Sequence, residues 1–287
     1  MMIITKLNIQ DKLPLTCSRR GTCCHGNLVM LNPWELMCLS REKGITPGEF
    51  RDRYCEYGGI RLRFDGEAGW RDKRACSQYI SGFGCSVHLG RPLACRLFPL
   101  GRQIQNEEVQ YMYQGDEFPC MEGCQEVSDL PQLSVGEYLQ GQGTEKFEKA
   151  HDEYLDVMQH LADISFELLL DTGLAESGDT ETLHQWRKMG NEFPEMLATR
   201  IGQDWMDSLM IPEIQDEDPG SFARKHTDLL QLKAQEDFGV LQTNQEFHQA
   251  SVLMMGAALQ LARGLGTNPV FLAEHWIETA KRHGAGE

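Results

Sequence analysis

Ten residues of one chemistry dominate this chain: Cys17, Cys23, Cys24, Cys38, Cys55, Cys76, Cys85, Cys95, Cys120 and Cys124, with no cysteine after Cys124 in 287 residues. Thiols crowded into one part of a chain point to disulfides or to metal ligation. The segment Met1–Lys6 runs into polar residues without a long apolar stretch, so no export signal is expected. In a reducing compartment such a pattern reads as metal-binding or catalytic rather than as a disulfide framework. No apolar run reaches the roughly 20 residues that a spanning helix needs. The expectation is a soluble, cytoplasmic protein.

Cys17, Cys23, Cys24, Cys76, Cys85, Cys95, Cys120 and Cys124 fall between predicted elements, where backbone is free to turn around an ion. Eight thiolates would complete two four-ligand sites, the number favoured by tetrahedral zinc and by common iron–sulfur clusters. The Cys120-x3-Cys124 spacing can clamp one metal. Neighbours such as Cys23 and Cys24 point in different directions in extended backbone and so suit two irons, two sites, or one ligand and one spare thiol. Cys38 and Cys55 stand on predicted helices and read as small packing residues.

The run Cys85-Ser-Val-His88-Leu-Gly-Arg91-Pro-Leu-Ala-Cys95-Arg96-Leu-Phe98-Pro99 is the most distinctive stretch. His88 is close enough to Cys85 to join its site, either as a ligand or as a hydrogen-bonding neighbour. Arg91 and Arg96 would offset thiolate charge at a bound cofactor; the plainer reading is an ordinary ion pair. Two short cysteine pairs, usual in structural zinc sites, are missing except for Cys120/Cys124. Ferredoxin-like C-x2-C-x2-C runs are missing too. Long irregular gaps and the adjacent pair favour a polynuclear iron site, with zinc as the alternative.

Cys17, Cys23-Cys24, Cys76, Cys85 and Arg91-Pro92-x-x-Cys95-Arg96-x-Phe98-Pro99 resemble the YkgJ-type cysteine-cluster family, described as a zinc- or iron-chelating domain. The resemblance covers about residues 15–125. It implies metal binding, often at an iron–sulfur centre, through Cys17, Cys23, Cys24, Cys76, Cys85, Cys95, Cys120 and Cys124. A flagellin lysine methylase group is similar in its cysteine cluster, which adds protein modification as an implied role.

Other constellations are weaker. Glu148-x-x-His151 and Glu181-x-x-His184 match the spacing of carboxylate-bridged di-iron bundles, but a chain with this much Glu and His carries such matches by chance. Walker A, Rossmann, G-x-S-x-G and H-E-x-x-H sequences are absent, so those mechanisms have no local support.

The elements that must position the thiols are short. Asn27–Leu31, Ile60–Phe64 and Glu108–Tyr113 read as strands. Asn32-Pro33 starts a helix that runs to about Lys43, and Thr46-Pro47 starts a second that stops at Gly58-Gly59. Beyond the boundary near Ser128–Leu133, helical spacing takes over. A long helix carries Phe147, Tyr154, Met158, Leu161, Ile164 and Leu168, and further helices are predicted near 180–190, 193–209, 221–236, 245–264 and 269–283.

Charge divides at the same place. Residues 1–124 hold 16 Lys/Arg against 14 Asp/Glu, whereas residues 125–287 hold 11 against 29. Such an acidic surface repels phosphates and anionic lipid, so neither nucleic acid nor a membrane is an expected partner. The fold expected is α+β, an irregular cysteine-rich metal-binding domain (1–127) followed by an acidic all-α domain (134–287). Two function classes follow. One is an iron–sulfur redox or protein-modifying enzyme acting on a protein or small molecule; the other is a binding or adaptor protein with a structural zinc.

Overall fold

The computed structural model describes residues 5–13, 21–105, 108–113, 132–170 and 180–286. Cys17, Cys120 and Cys124 lie outside the described residues. The architecture is α+β, with small antiparallel sheets in the N-terminal part and helices after them.

Local signals set the first elements. Helix α1 (Pro33–Lys43) begins at Asn32, whose side chain accepts from the Glu35 N–H while the Glu35 carboxylate accepts from the Asn32 N–H; it ends at Gly44 in the left-handed region. This reciprocal cap satisfies two orphan donors. Helix α2 (Pro47–Tyr54) has the same box through Thr46 and Glu49. It stops short of the expected Gly58-Gly59 because Cys55–Glu56 (β3) pairs with Arg61–Leu62 (β4). The expected strand at Asn27–Leu31 reduces to a single bridge from Met30 to Arg61.

The main sheet orders β1 (Thr5–Leu7), β8 (Glu108–Tyr113) and β7 (Leu100–Gln105), all antiparallel. It docks on the long helix α5 (Glu145–Leu170). Arg102 grips Asp152 with both guanidinium nitrogens at 2.9 and 2.7 Å, and the Tyr111 hydroxyl donates to Glu148 at 2.8 Å. A second pairing joins β2 (Lys12–Leu13) to β9 (Leu133–Ser134), so the chain returns to its N-terminal part just before helix α4 (Val135–Gln142).

The remaining α-helices among the described residues are α6 (Glu181–Asn191), α7 (Pro194–Ile201), α8 (Gln203–Met210), α9 (Pro219–Phe238), α10 (Asn244–Gly264) and α11 (Pro269–Arg282). The single helix expected over 193–209 is two, broken at Gly202, where φ is 83°. α5 packs chiefly on α10 and α9. Buried Ser165 and Ser251 lock the first of these contacts, the Ser165 hydroxyl donating to the Ser251 carbonyl at 2.7 Å.

Apolar residues of both halves form one continuous cluster, from Leu31, Leu36 and Phe50 to Tyr154, Trp186 and Trp276. α10 touches the N-terminal part directly. A Cβ at Gly264 would lie 2.6 Å from the Leu31 carbonyl oxygen, and the Gln260 amide donates to the Tyr57 carbonyl at 2.9 Å. Among the described residues, no helix is long and apolar enough to cross a membrane.

Candidate metal centre

Four segments bring thiols together, and backbone hydrogen bonds do most of the assembly. The first is the 3-10 turn Thr22–Cys24, entered through Gly21 at φ 76°. A Cβ on Gly21 would collide with the Tyr79 ring at 2.3 Å, so both conformation and space call for glycine there. The Cys24 N–H donates to the Gly21 carbonyl at 2.9 Å, and the Asn27 amide donates to the Cys23 carbonyl at 3.0 Å.

The second segment is strapped to the first. The Cys76 N–H donates to the Cys24 carbonyl at 2.7 Å, beside a bridge between His25 and Ala75. Third, the hairpin of β5 (Tyr79–Ile80) and β6 (Gly84–Cys85) places Cys85 opposite Tyr79, while the Tyr79 N–H returns to the Cys76 carbonyl at 2.9 Å. Fourth, Cys95 sits on the one-turn helix α3 (Leu93–Leu97) rather than in a loop.

The thiol of Cys95 lies within electrostatic reach of Cys76, Cys23 and Cys85. Surrounding protein pushes this thiol well above the usual range; the three neighbouring thiols add to the effect, and Arg91 opposes it. Burial also raises Cys85 and pushes Cys76 up to about 11. The backbone N–H groups two residues on, of Gln78 for Cys76 and of Val87 for Cys85, oppose that rise. Such donors stabilise a thiolate once its proton has left. Among the described residues, no three His, Cys, Asp or Glu side chains already form a group that could hold an ion. What the fold brings near Cys95 is three further thiols, Cys23, Cys76 and Cys85, within electrostatic reach.

The other expected residues divide clearly. His88 turns Nε2 to Arg91, whose Nη1 donates to it at 2.6 Å. Arg91 also donates to the Gln142 side chain and lowers the thiol pKa at both Cys85 and Cys95. Arg96 is structural in its contacts. It donates to the carbonyls of Arg91 at 2.8 Å, of Gln142 at 2.6 Å and of Leu89, and it stacks on Phe147 at 3.9 Å. Burial holds its pKa down to about 10. The 3-10 turn places Cys24 beside Cys23, with its carbonyl serving Cys76.

Cys38 and Cys55 stand apart from this group. Cys38, on α1, is pushed up to about 12 by burial and then by Glu35; Cys55 is buried in the shared core and raised further. The Glu148 and His151 pair is also accounted for, Glu148 by Tyr111 and His151 by the Leu265 carbonyl at 3.1 Å. Two residues of the site go beyond the cysteine pattern. His25 is buried, with its Nδ1 at 2.8 Å from the Gly21 carbonyl and its ring edge-on to Tyr79; its adjacency to Cys24 was the only signal. Glu35 was legible as a capping residue alone.

No family model matches the chain, and neither a curated protein nor a solved structure matches it.

Proposed function

We propose that the N-terminal part holds an iron–sulfur cluster and that Cys23, Cys76, Cys85 and Cys95 are its ligands among the described residues. The observation that carries this reading is that Cys95 lies within electrostatic reach of Cys23, Cys76 and Cys85, with the Gln78 and Val87 backbone N–H groups lowering the proton affinity of Cys76 and Cys85. The donor set fits the group: four thiols, sulfur-directed donors and a guanidinium, Arg91, to offset thiolate charge. Cys17, Cys24, Cys120 and Cys124 complete the eight-cysteine set of the YkgJ-type pattern and are the ligands available to a second site.

The protein's own contribution is to deliver and tune these thiols. Metal uptake must displace protons from thiols raised by burial, so affinity climbs with pH through the neutral range. Arg91 and the Gln78 and Val87 N–H groups favour the ionised state of the sulfurs they face. When bound, an iron–sulfur cluster supplies one-electron transfer or an open iron position. The chain is then a redox or protein-modifying enzyme, methylase-like in the terms of the resemblance, with the acidic helical part receiving a protein or small-molecule substrate.

One observation favours the second reading, a structural zinc in an adaptor protein. Strands β3 to β6 have two residues each, and elements this short draw on metal-binding energy to fold. Iron, zinc and acid-labile sulfide in anaerobically purified protein, measured with the visible spectrum, separate the two. Iron with matching sulfide supports the cluster. Stoichiometric zinc without sulfide replaces it with the structural site, and absence of all three refutes metal binding.

A further inference from the structure

Among the described residues, four helices begin with a reciprocal capping box, and in three of them the acidic partner is an exposed residue that only caps: Glu49, Glu137 and Glu246. Glu35 is different. It is 4% exposed, and its two oxygens are divided between two tasks. Oε2 accepts the Asn32 N–H at 3.1 Å, which closes the cap. Oε1 accepts the Leu93 N–H at 2.7 Å, from a residue 58 positions along the chain.

That second bond joins α1 to the first residue of α3, the helix that carries Cys95. α3 has no side-chain cap of its own; Pro92 precedes it and offers none. Its leading N–H is an orphan donor of the kind that needs an acceptor when buried. A buried carboxylate is costly unless fully hydrogen-bonded, and capping alone would leave Oε1 without this partner. At the other side of α3, Arg96 ties the segment to the Arg91 and Gln142 carbonyls. The helix is thus held by Glu35 at its start and by Arg96 beyond Cys95.

We propose that Glu35 is a positioning residue for the thiol site, fixing α3 through the Leu93 N–H so that Cys95 stays within reach of Cys23, Cys76 and Cys85. The inference rests on the reading of Cys95 as a metal ligand. Glu35 touches none of the reacting atoms itself. In Glu35→Gln one oxygen becomes an amide nitrogen, so the side chain can no longer accept from both Asn32 and Leu93.

The test uses the full chain, stripped of metal under reducing conditions and titrated with Co2+, which absorbs characteristically when bound by thiolates. Glu35→Gln should weaken Co2+ binding by about 10–100-fold, the range for residues that orient ligands from behind. Leu93→Pro removes the same hydrogen bond from the other side, at a first helical position that tolerates proline, and should weaken it comparably. Asn32→Ala removes only the side-chain cap and serves as the stability control; it should lower the melting temperature while leaving Co2+ affinity unchanged. Wild-type-like affinity in either Glu35→Gln or Leu93→Pro overturns the positioning role while leaving the thiol site standing. Equal affinity losses in Glu35→Gln and Asn32→Ala also overturn it, because the effect then follows helix stability. Failure of the unaltered chain to give a thiolate–cobalt spectrum removes the metal reading and the positioning role together.

Discussion

The thiol neighbourhood and the helical part solve the same folding problem by opposite means. Around Cys23, Cys76 and Cys85, order comes from single backbone hydrogen bonds between distant turns, such as Cys76 to Cys24 and Gly26 to Arg74. In the helical part it comes from long amphipathic helices whose large residues, Tyr154, Trp186 and Trp276, are fully enclosed. Several of its cations are matched too: Arg187 with Glu274, Lys225 with Asp216, Lys233 with Asp204 and Asp237. The difference teaches that apolar burial orders the helices, within a core they share with the N-terminal part. The other region keeps half-buried thiols, and the proton affinity of Cys76, Cys85 and Cys95 is raised, a state that a metal would relieve.

The widest separation between the regions should come from a core truncation. Trp186→Ala removes a fully buried ring packed edge-on to Phe166 and should cost about 3–5 kcal/mol in urea denaturation. Metal content per folded chain should not change. A loss of metal in that variant would show that the regions are not energetically distinct.

Acid should strike the helical part next. His226 is buried, accepting from the Tyr154 hydroxyl at 2.9 Å and donating to the Ser208 carbonyl at 2.9 Å. Burial pushes its pKa down to about 4. The folded state therefore binds fewer protons than the unfolded one between pH 6.5 and about 4. Stability is fully present above pH 6.5 and falls by up to about 3 kcal/mol as pH drops to about 4. His226→Gln should flatten that part of the pH–stability curve; an unchanged slope would contradict the assignment.

Smaller effects sharpen the contrast. Thr243→Ala removes the hydroxyl that caps α10 by accepting the Glu246 N–H at 3.3 Å, and should cost about 1 kcal/mol in a thermal melt. Arg187→Gln breaks a bidentate but exposed pair with Glu274. It should shift stability by about 0.2–1 kcal/mol at low salt, and by less when salt screens it. A larger change would mean that surface pairing, rather than burial, stabilises this half.

Legibility in the sequence followed the same division. Helices were readable because caps and apolar spacing are local: α1 starts at Asn32-Pro33 and ends at Lys43, and α11 covers nearly all of the span near 269–283, as expected. The break at Gly202 was missed because the apolar pattern continues across it through Leu197, Ile201 and Trp205. Strand β8 was readable in full, whereas Asn27–Leu31 pairs at one bridge only. A strand requires a partner, and partner choice is non-local. At the site, the cysteines themselves were obvious. That Cys95 rides on a helical turn, that Arg96 spends its guanidinium on carbonyls, and that Glu35 reaches across 58 positions to Leu93 are properties of tertiary packing, which no local spacing encodes.

The central claim is that Cys23, Cys76, Cys85 and Cys95 act as one ligand set while Cys38 does not. Iron and sulfide content should therefore be measured in five single Cys→Ser variants purified anaerobically under identical conditions. The account predicts that the Cys23, Cys76, Cys85 and Cys95 variants each lose most of the iron and sulfide of the unaltered protein while Cys38→Ser retains it. Retention in the four, or equal loss in Cys38→Ser, would contradict it.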